Sequence, residues 1–342
     1  MKLQLIPGDI TTTAADGIIV SLCEDSERLG VPTAAVVAVD RLLGGPIGGL
    51  LDSKGFKGKA GEVSVLHTLG RMPARLVAVV GLGKQKEVTV DRVRDAVAEG
   101  CRALRRLGCT SIATTLVGAG TVGMGPASCA GAITEGAGLG LYTFDKYKAP
   151  EGPAVETVSI VVKDTSDVER LGKAVDTGSI LSETTNLARD MVNEPANYMT
   201  PTRMAQMSED ICSSLGMKCT VLNRDDMVSL GMGALLGVAQ GSAEPPKFIR
   251  IDYTGTDPAA ARTGLVGKAI TFDSGGISIK PSEGLQEMKD DMAGGASVIA
   301  AMMAIARLQL ATNVSALIPA TENLPGGHAY RPGDVLKAMN GK

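Results

Sequence analysis

Short apolar runs alternate with helical patterns along the first half of the chain. Strand-like runs, several of them continuously apolar as in buried strands, lie at Leu3–Ile6, Gly17–Val20, Leu76–Val80, Ile112–Val117 and Val158–Val162. Between them, apolar residues recur at helical spacing from Val90 to Leu107, with Thr89 as a candidate N-cap and Gly108 after the last turn. This alternation predicts an α/β fold with a largely parallel sheet.

The second half shows a similar alternation after a composition break. The break lies in KAPEGP, from Lys148 to Pro153, and a helical pattern then runs as far as the residues before Pro195, because proline disfavours helix in the residue that precedes it. Further strands are predicted at Phe248–Tyr253, Leu265–Val266 and Asn313–Ile318, and a buried helix at Ala296–Leu310. We predict an N-terminal α/β domain at 1–165, a connecting helix at 166–195 and a second α/β domain at 196–342.

Composition narrows the function classes. The length of 342 residues favours two domains, and a hydrophobic content of 44% suffices for packed cores. A net charge of −3 with mixed signs and only 3% aromatic residues argue against nucleic acid as a partner. The six cysteines are scattered and predict reduced thiols. No apolar leader or membrane-length apolar run occurs, so we predict a cytoplasmic protein that does not engage a membrane.

One glycine-rich run suggests a nucleotide site. The run VGAGTVGMG, from Val117 to Gly125, contains G-x-G-x-x-G between a strand and a helical pattern, and Asp145 lies about 20 residues further on, as in dinucleotide-binding folds. Against this interpretation, the run lies late in its domain, and Pro126 suits the first position of a helix without any ligand. No cofactor-binding residue is assigned here, and a nucleotide- or ADP-ribose-binding module in the N-terminal domain is kept as the alternative function.

The densest candidate chemistry lies in residues 266–292. Asp273 stands at a Ser-Gly-Gly turn after a strand-like run, and Asp291 precedes a glycine-rich helix start. Carboxylates bind divalent cations, and open α/β sheets place ligand sites at strand ends and helix starts. Lys268 could bind a metal only as the neutral amine, whereas Lys280 could stay charged and stabilise an oxyanion. The alternative is that these side chains are solvated loop charges that form surface ion pairs.

Several segments form a set with a specific order and spacing. They are NLARDMVNEP (186–195), VGKAITFDSGGISIKP (266–281), MKDDM (288–292), IPATENLPGG (318–327) and RPGD (331–334). In these segments the sequence resembles the dizinc leucyl aminopeptidases, also called cytosol aminopeptidases. Weaker similarity at YTFDKYK, residues 142–148, extends into the first domain and accounts for Asp145 without a nucleotide.

The resemblance implies both a fold and an activity. The fold would be an N-terminal macro-domain-like α/β sheet followed by a C-terminal α/β metallo-exopeptidase domain. The activity would be that of a metal-dependent hydrolase, an aminopeptidase that removes leucine and other N-terminal residues from peptides with water activated by two divalent metal ions. These ions would be zinc or manganese, with magnesium as an alternative. The resemblance also implies a cytoplasmic location and a homohexamer in the complete protein.

The resemblance further assigns roles by position in the matching motifs. Lys268, Asp273 and Asp291 correspond to metal ligands, and Lys280 corresponds to the catalytic lysine that holds the carbonyl oxygen. Met288 corresponds to a residue that lines the pocket for the first side chain of the substrate. Two positions depart from the family pattern: alanine follows Lys268 where glycine is usual, and aspartate precedes Asp291 where tyrosine is common.

The last expectation concerns the end of the chain. The next family motif, Asn-Thr-Asp-Ala-Glu-Gly-Arg-Leu, would follow Lys342 and would supply two more carboxylate ligands and a catalytic arginine. The resemblance therefore covers the N-terminal two-thirds of a family member, with the catalytic domain at 196–342 incomplete before its last metal-binding motif. We expect a chain that ends at Lys342 to be inactive, because two carboxylates and one amine hold two dications poorly.

Overall fold

The computed structural model describes residues 1–25, 34–53, 55–120, 123–149 and 152–342. Residues 121 and 122 of the glycine-rich run, and residues 150 and 151 of the composition break, lie outside the described part. The chain divides into two compact units, Met1–Glu183 and Thr184–Lys342, and the division falls within a long helix. The domain limits drawn from the sequence stay a prediction.

The first unit is built on a six-stranded sheet within the described residues. Its strands are β1 (Lys2–Pro7), β2 (Gly17–Leu22), β3 (Val63–His67), β4 (Leu76–Gly81), β5 (Ser111–Thr114) and β6 (Thr157–Val162). Its helices are α1 (Ala34–Leu43), α2 (Pro46–Asp52), α3 (Val90–Arg106), α4 (Pro126–Gly140) and the first part of α5 (Thr165–Asn193). The strand order is β1-β6-β5-β2-β4-β3, and among these described strands only β3 is antiparallel to its neighbour. The predicted parallel α/β sheet is confirmed, although β5 ends at Thr114, earlier than predicted.

Both faces of this sheet are covered, which explains its continuously apolar strands. In β2, Ile18 packs in a core with α1 and α2, whereas Ile19 packs on the other face with α3 and α4. No single helix in the described ranges is long and apolar enough to cross a membrane. Helices α1 and α2 together have the length and apolar composition of such a span, but they are bent by 102°. Val36 of α1 and Ile47 of α2 are fully buried in the core.

Local signals in the sequence determine the ends of the helices. The Thr89 side chain accepts a hydrogen bond from the Arg92 N–H at 3.3 Å, so Thr89 is the N-cap of α3, as predicted. Gly108 follows α3 with a positive φ of 75°, a conformation in which glycine avoids side-chain strain. Pro126 begins α4, where its missing N–H costs no helical hydrogen bond.

A partly buried carboxylate joins two strand starts in the first unit. Asp16, just before β2, accepts hydrogen bonds at Oδ2 from the Thr110 N–H at 2.7 Å, the Thr110 hydroxyl at 2.8 Å and the Ser111 N–H at 3.0 Å. The Thr110 N–H is the main cause that lowers the pKa of Asp16 to about 2, against the opposing effect of burial. Asp16 therefore fixes the start of β2 beside that of β5.

The second unit carries the remainder of α5 and a smaller mixed sheet. In chain order it contains α6 (Pro201–Leu215), β7 (Lys218–Leu222), α7 (Arg224–Ser229), α8 (Gly233–Val238), β8 (Lys247–Thr254), β9 (Arg262–Val266), β10 (Ala269–Asp273), α9 (Ala293–Arg307) and β11 (Asn313–Asn323). The strand order is β10-β11-β8-β7, with β8 antiparallel to both neighbours. Strands β9 and β10 lie one after the other along the same edge of β11 and are parallel to it.

Packing in this unit brings two strand ends together. Ile249 and Ile251 of β8, Ile318 of β11 and Ile299 of α9 belong to one buried core, which also includes residues of α6. Because β10 and β11 are parallel, their carboxyl ends meet at one edge, and Asp273 lies opposite Asn323. The register shifts between Ile270 and Asp273, so β10 is irregular just before the candidate site.

Candidate active site

The turn after β10 holds its shape through two glycines. Gly275 and Gly276 have φ values of 90° and 69°, in the left-handed region that disfavours other residues. A Cβ atom on Gly275 would lie 2.4 Å from the Ser278 carbonyl oxygen, and one on Gly276 would lie 2.8 Å from Oδ1 of Asn323. The Asp-Ser-Gly-Gly sequence therefore permits a tight turn in which neither Gly275 nor Gly276 could carry a side chain.

This turn brings Lys280 back onto Asp273. The Lys280 N–H donates to the Ser274 carbonyl at 2.9 Å and closes the loop, and the Lys280 ammonium lies 2.7 Å from Asp273 Oδ2. The other carboxylate oxygen, Oδ1, accepts hydrogen bonds from the Gly275 N–H at 3.0 Å and the Asn323 side-chain amide at 2.8 Å. Burial alone would raise the pKa of Asp273, but the hydrogen bonds from Lys280, Gly275 and Asn323 outweigh it and hold that pKa below its usual range.

A second lysine–carboxylate pair lies at the start of β10. The Lys268 ammonium lies 2.7 Å from both carboxylate oxygens of Asp291, and its hydrogen bond goes to Oδ1. Asp291 Oδ2 is buried and receives no hydrogen bond. The pair is held by the backbone on both sides, because the Ile270 N–H donates to the Asp291 carbonyl and the Gly295 N–H donates to the Lys268 carbonyl.

A single 3-10 turn, Leu285–Asp290, links the two pairs. Near its end, the Met288 sulfur lies 3.0 Å from the Lys280 ammonium, which in turn contacts Asp273. The turn ends directly at Asp291, the partner of Lys268. The five residues singled out from the sequence therefore lie around one turn and one strand.

Helix α9 approaches this region closely. A Cβ atom at Gly295 would lie 2.7 Å from the Ala269 Cβ and 2.9 Å from Cγ2 of Ile318, and one at Gly267 would lie 2.6 Å from the Gly294 carbonyl oxygen. Glycine at these places lets the first turn of α9 contact the backbone before β10. The glycine-rich run after Met292, noted in the sequence as a helix start, allows this close packing.

The donor set suits a divalent cation. The buried Asp291 Oδ2 receives no hydrogen bond, and its charge is met by the ion pair with the Lys268 ammonium at 2.7 Å. A divalent cation could take the place of that ammonium, because carboxylate oxygens are ligands for such cations. In the part of the chain that the structure describes, no three His, Cys, Asp or Glu side chains converge on one metal position. The donors at hand are Asp273, Asp291 and the Lys268 amine. These residues fit part of a metal centre.

Sequence reasoning missed two residues that support this site. Asn323 donates to Asp273, and the Lys289 ammonium, between Met288 and Asp291, donates to the Asn193 carbonyl at the end of α5 at 2.5 Å. Asn323 lies 50 positions from Asp273 in the chain, so only the pairing of β10 with β11 brings them together. The family resemblance gave a weak indication of both, because Asn323 lies within the IPATENLPGG segment and Lys289 within MKDDM.

Fold and site define a two-unit α/β protein with a candidate metal-dependent hydrolase site at a strand end. Comparison with known proteins gives the family. Residues 24–151 match the cytosol aminopeptidase family, N-terminal domain, and residues 186–342 match the cytosol aminopeptidase family, catalytic domain. The chain belongs to the cytosol aminopeptidase family.

Individual relatives agree with this assignment. The chain is 40% identical over 345 residues to a probable cytosol aminopeptidase of Alkaliphilus oremlandii and 42% identical over 347 residues to one of Geobacter sulfurreducens. In both cases the alignment covers 100% of this chain and 68% of the relative. The chain thus spans about two thirds of the length of these relatives.

Solved structures show the same architecture. The bottromycin maturation enzyme BotP, in a complex with Mn, is 34% identical with a TM-score of 0.78, over 96% of this chain and 64% of BotP. A mutant of tomato leucine aminopeptidase has a TM-score of 0.85 at 24% identity, over 100% of this chain and 66% of that protein, and shows the shared fold. The family's aminopeptidases use two divalent metal ions. The nucleotide- or ADP-ribose-binding alternative is not favoured by this assignment.

Proposed function

We propose that this protein contributes the Lys268–Asp291 and Lys280–Asp273 pairs to the active centre of an aminopeptidase that removes leucine and other N-terminal residues from peptides. The observation that carries the proposal is the convergence of both pairs and Met288 around the Leu285–Asp290 turn. The alternative of a surface ion pair applies more to Lys268, whose side chain is 61% exposed, than to Lys280 and Asp273, at 35% and 14%.

Asp273, Asp291 and the Lys268 amine would hold divalent cations, with zinc or manganese preferred and magnesium as the alternative. When bound, the cations would polarise the substrate carbonyl and lower the pKa of a water molecule. The Lys268 amine would ligate only after it loses its proton, because an ammonium has no lone pair. The Asn323 and Gly275 N–H groups occupy Asp273 Oδ1. Oδ2, which pairs with the Lys280 ammonium, is therefore the oxygen that would also face a metal ion.

Lys280 would act on the substrate itself. Its ammonium lies between Asp273 and Met288, so it is held by contacts of 2.7 Å and 3.0 Å and is only partly exposed, at 35% of its side chain. A cation fixed in this way can donate a hydrogen bond to the carbonyl oxygen as negative charge develops on it. Met288 would contact the first side chain of the substrate, because an apolar thioether adapts to different shapes. We further propose a cytoplasmic location and a homohexameric assembly for the complete protein.

The proposal predicts metal-dependent release of leucine. The complete protein, including the family motif expected after Lys342, is first treated with a chelator and dialysed, and leucine amide hydrolysis is then measured with and without added Mn²⁺ or Zn²⁺. We expect activity only with added metal, because the bound cation would polarise the substrate carbonyl and activate the water molecule. N-acetylated leucine amide is the control substrate and should not react, since it lacks the free amine. Equal activity with and without metal would contradict the proposal.

A further inference from the structure

We infer that Asn323 is a positioning residue that orients the Asp273 carboxylate for metal binding; this inference rests on the proposed function. Asn323 makes three contacts with the turn after β10. Its side-chain amide donates to Asp273 Oδ1 at 2.8 Å, and its carbonyl oxygen accepts from the Ser274 N–H at 3.0 Å and the Ser274 hydroxyl at 2.8 Å.

These contacts fix which oxygen of Asp273 is available. Oδ1 already accepts from the Gly275 N–H at 3.0 Å, so the Asn323 amide is its second donor. A carboxylate oxygen has two lone-pair directions, and both are then occupied. Oδ2 has the Lys280 ammonium as its partner at 2.7 Å, so the carboxylate is held in one rotamer with Oδ2 toward the lysine.

The position of Asn323 is itself tightly constrained. It ends β11 directly opposite Asp273 in the parallel pairing, and a Cβ atom at Gly276 would lie 2.8 Å from its Oδ1. A side chain at the end of a strand, clamped between a glycine turn and a carboxylate, has little freedom to rotate. Such outer partners of a ligating carboxylate set its orientation, and their loss typically weakens metal binding about 10–100-fold.

Asn313 offers a matched control on the same strand. It begins β11, ten positions before Asn323, and it is fully buried. Its amide donates to the Asp257 carbonyl at 2.7 Å, and its Oδ1 accepts from the Thr256 N–H at 3.4 Å. Asn313→Ala therefore also removes a structural amide from β11, but at the end of the strand away from Asp273.

The test is calorimetric titration of the chelator-treated complete protein and its variants with Mn²⁺, supported by activity against leucine amide. We expect Asn323→Ala to bind Mn²⁺ about 10–100-fold more weakly than the wild type and to recover much of its kcat at saturating Mn²⁺. Asn313→Ala should lower the thermal midpoint in chelator while its Mn²⁺ affinity stays within about twofold of the wild type. Asn323→Ser, which is too short to reach Asp273, serves if Asn323→Ala does not fold.

Two negative outcomes are distinguishable. Wild-type affinity for Mn²⁺ in the folded Asn323 variants would overturn the positioning role and leave the proposed function standing. Absence of Mn²⁺ binding and of leucine release in the wild type would overturn the proposed function and the positioning role together. An equal loss of Mn²⁺ affinity in Asn313→Ala and Asn323→Ala would reduce the role of Asn323 to general stability of β11 and would also overturn the inference.

Discussion

At Asp273, burial and hydrogen bonding act on one carboxylate in opposite directions. Burial raises its pKa, while hydrogen bonds from Lys280, Gly275 and Asn323 lower it, and the net effect is a pKa below the usual range. The charge on Asp273 is therefore balanced locally by a lysine 2.7 Å away. A side chain held in this manner is available as a charged, fixed group near neutral pH.

Lys280 should matter for turnover more than for folding. Lys280→Ala removes the ammonium proposed to stabilise negative charge on the substrate, so we expect kcat on leucine amide to fall roughly 10²–10³-fold. Steady-state kinetics at saturating metal measures this effect. Lys247→Ala is the control, because its ammonium donates to Asn223 on another part of the unit and its loss should leave kcat unchanged. A change confined to KM would argue against the proposed role.

The sequence revealed residues with distinctive chemistry better than residues that act through geometry. Lys268, Asp273, Lys280 and Asp291 fall in a short stretch, and their types suggest metal and oxyanion chemistry, whereas Met288 was singled out by the family resemblance. Their roles stay predictions, although the structure places them around one turn. Asn323 could not be found in this way, because an asparagine carries no such signal and its partner is set by strand pairing.

At the level of helices and strands, periodic signals predicted elements well where they were long. Helix α3 has an apolar repeat, a capping threonine and a terminal glycine, and all three are present in the structure. For strand β10 the sequence predicted only a strand-like run before the glycine turn, without its bounds, because AITFD is short and follows directly on Gly267 and Lys268. Helix α6 was missed, although Thr200 caps it, Pro201 begins it and Gly216 ends it.

The contact between α4 and α5 depends on small residues. Two glycines of α5 allow the effect of close packing on stability to be measured apart from the effect of helix propensity. A Cβ atom at Gly178 would lie 2.5 Å from the Gly131 carbonyl oxygen of α4, whereas one at Gly172 would meet nothing within 4 Å. We expect Gly178→Ala to destabilise the protein by about 1–3 kcal/mol through overpacking. Gly172→Ala should stabilise it by about 0.5–1 kcal/mol, because alanine loses less entropy in a helix.

Thermal unfolding of the two variants measures this difference. The midpoint should fall for Gly178→Ala and rise slightly for Gly172→Ala, with both compared to the wild type at the same pH. If both substitutions raised the midpoint, the close approach of α4 and α5 would not be a constraint on the fold.

For the molecule as a whole, stability depends on pH in part through the Asp16 carboxylate of the first unit. The folded-state pKa of Asp16 is about 2, below its ordinary value of 3.8. A group whose pKa is lowered by folding stabilises the folded state above its unfolded pKa and loses that contribution as pH falls through the folded pKa. Asp16 should therefore contribute about 1–2 kcal/mol above pH 4, after a discount for its partial exposure, and this contribution should disappear between about pH 4 and pH 2.

The substitution Asp16→Asn tests this contribution. We expect the variant to be less stable than the wild type by about 1–2 kcal/mol at pH 7 and nearly equal to it near pH 2. Urea unfolding at several pH values gives the difference. Asp95→Asn, on the exposed side of α3, is the control for the loss of one carboxylate and is measured at the same pH values. A constant difference across this range would mean that the amide at position 16 is unfavourable for steric reasons instead of electrostatic ones.

Composition and length indicated the broad outline of the molecule. The cores on the two faces of the first sheet are separate from the core of the second unit, which agrees with two domains. The order of strands could not be predicted, because β1 pairs with β6 and not with its neighbour in sequence. Order of this kind depends on which apolar faces pack together, and a pattern of apolar positions does not specify the partners.

The glycine turn after β10 also limits how the site could be redesigned. Gly275 and Gly276 leave no room for another side chain, so variation in Asp273–Gly276 would break the turn before it altered specificity. The Leu285–Asp290 turn is different, since Gly284 before it has a left-handed backbone but no atom lies within 4 Å of its Cβ position. A laboratory evolution experiment aimed at new substrates should therefore randomise the residues around Met288 and keep the glycine turn constant.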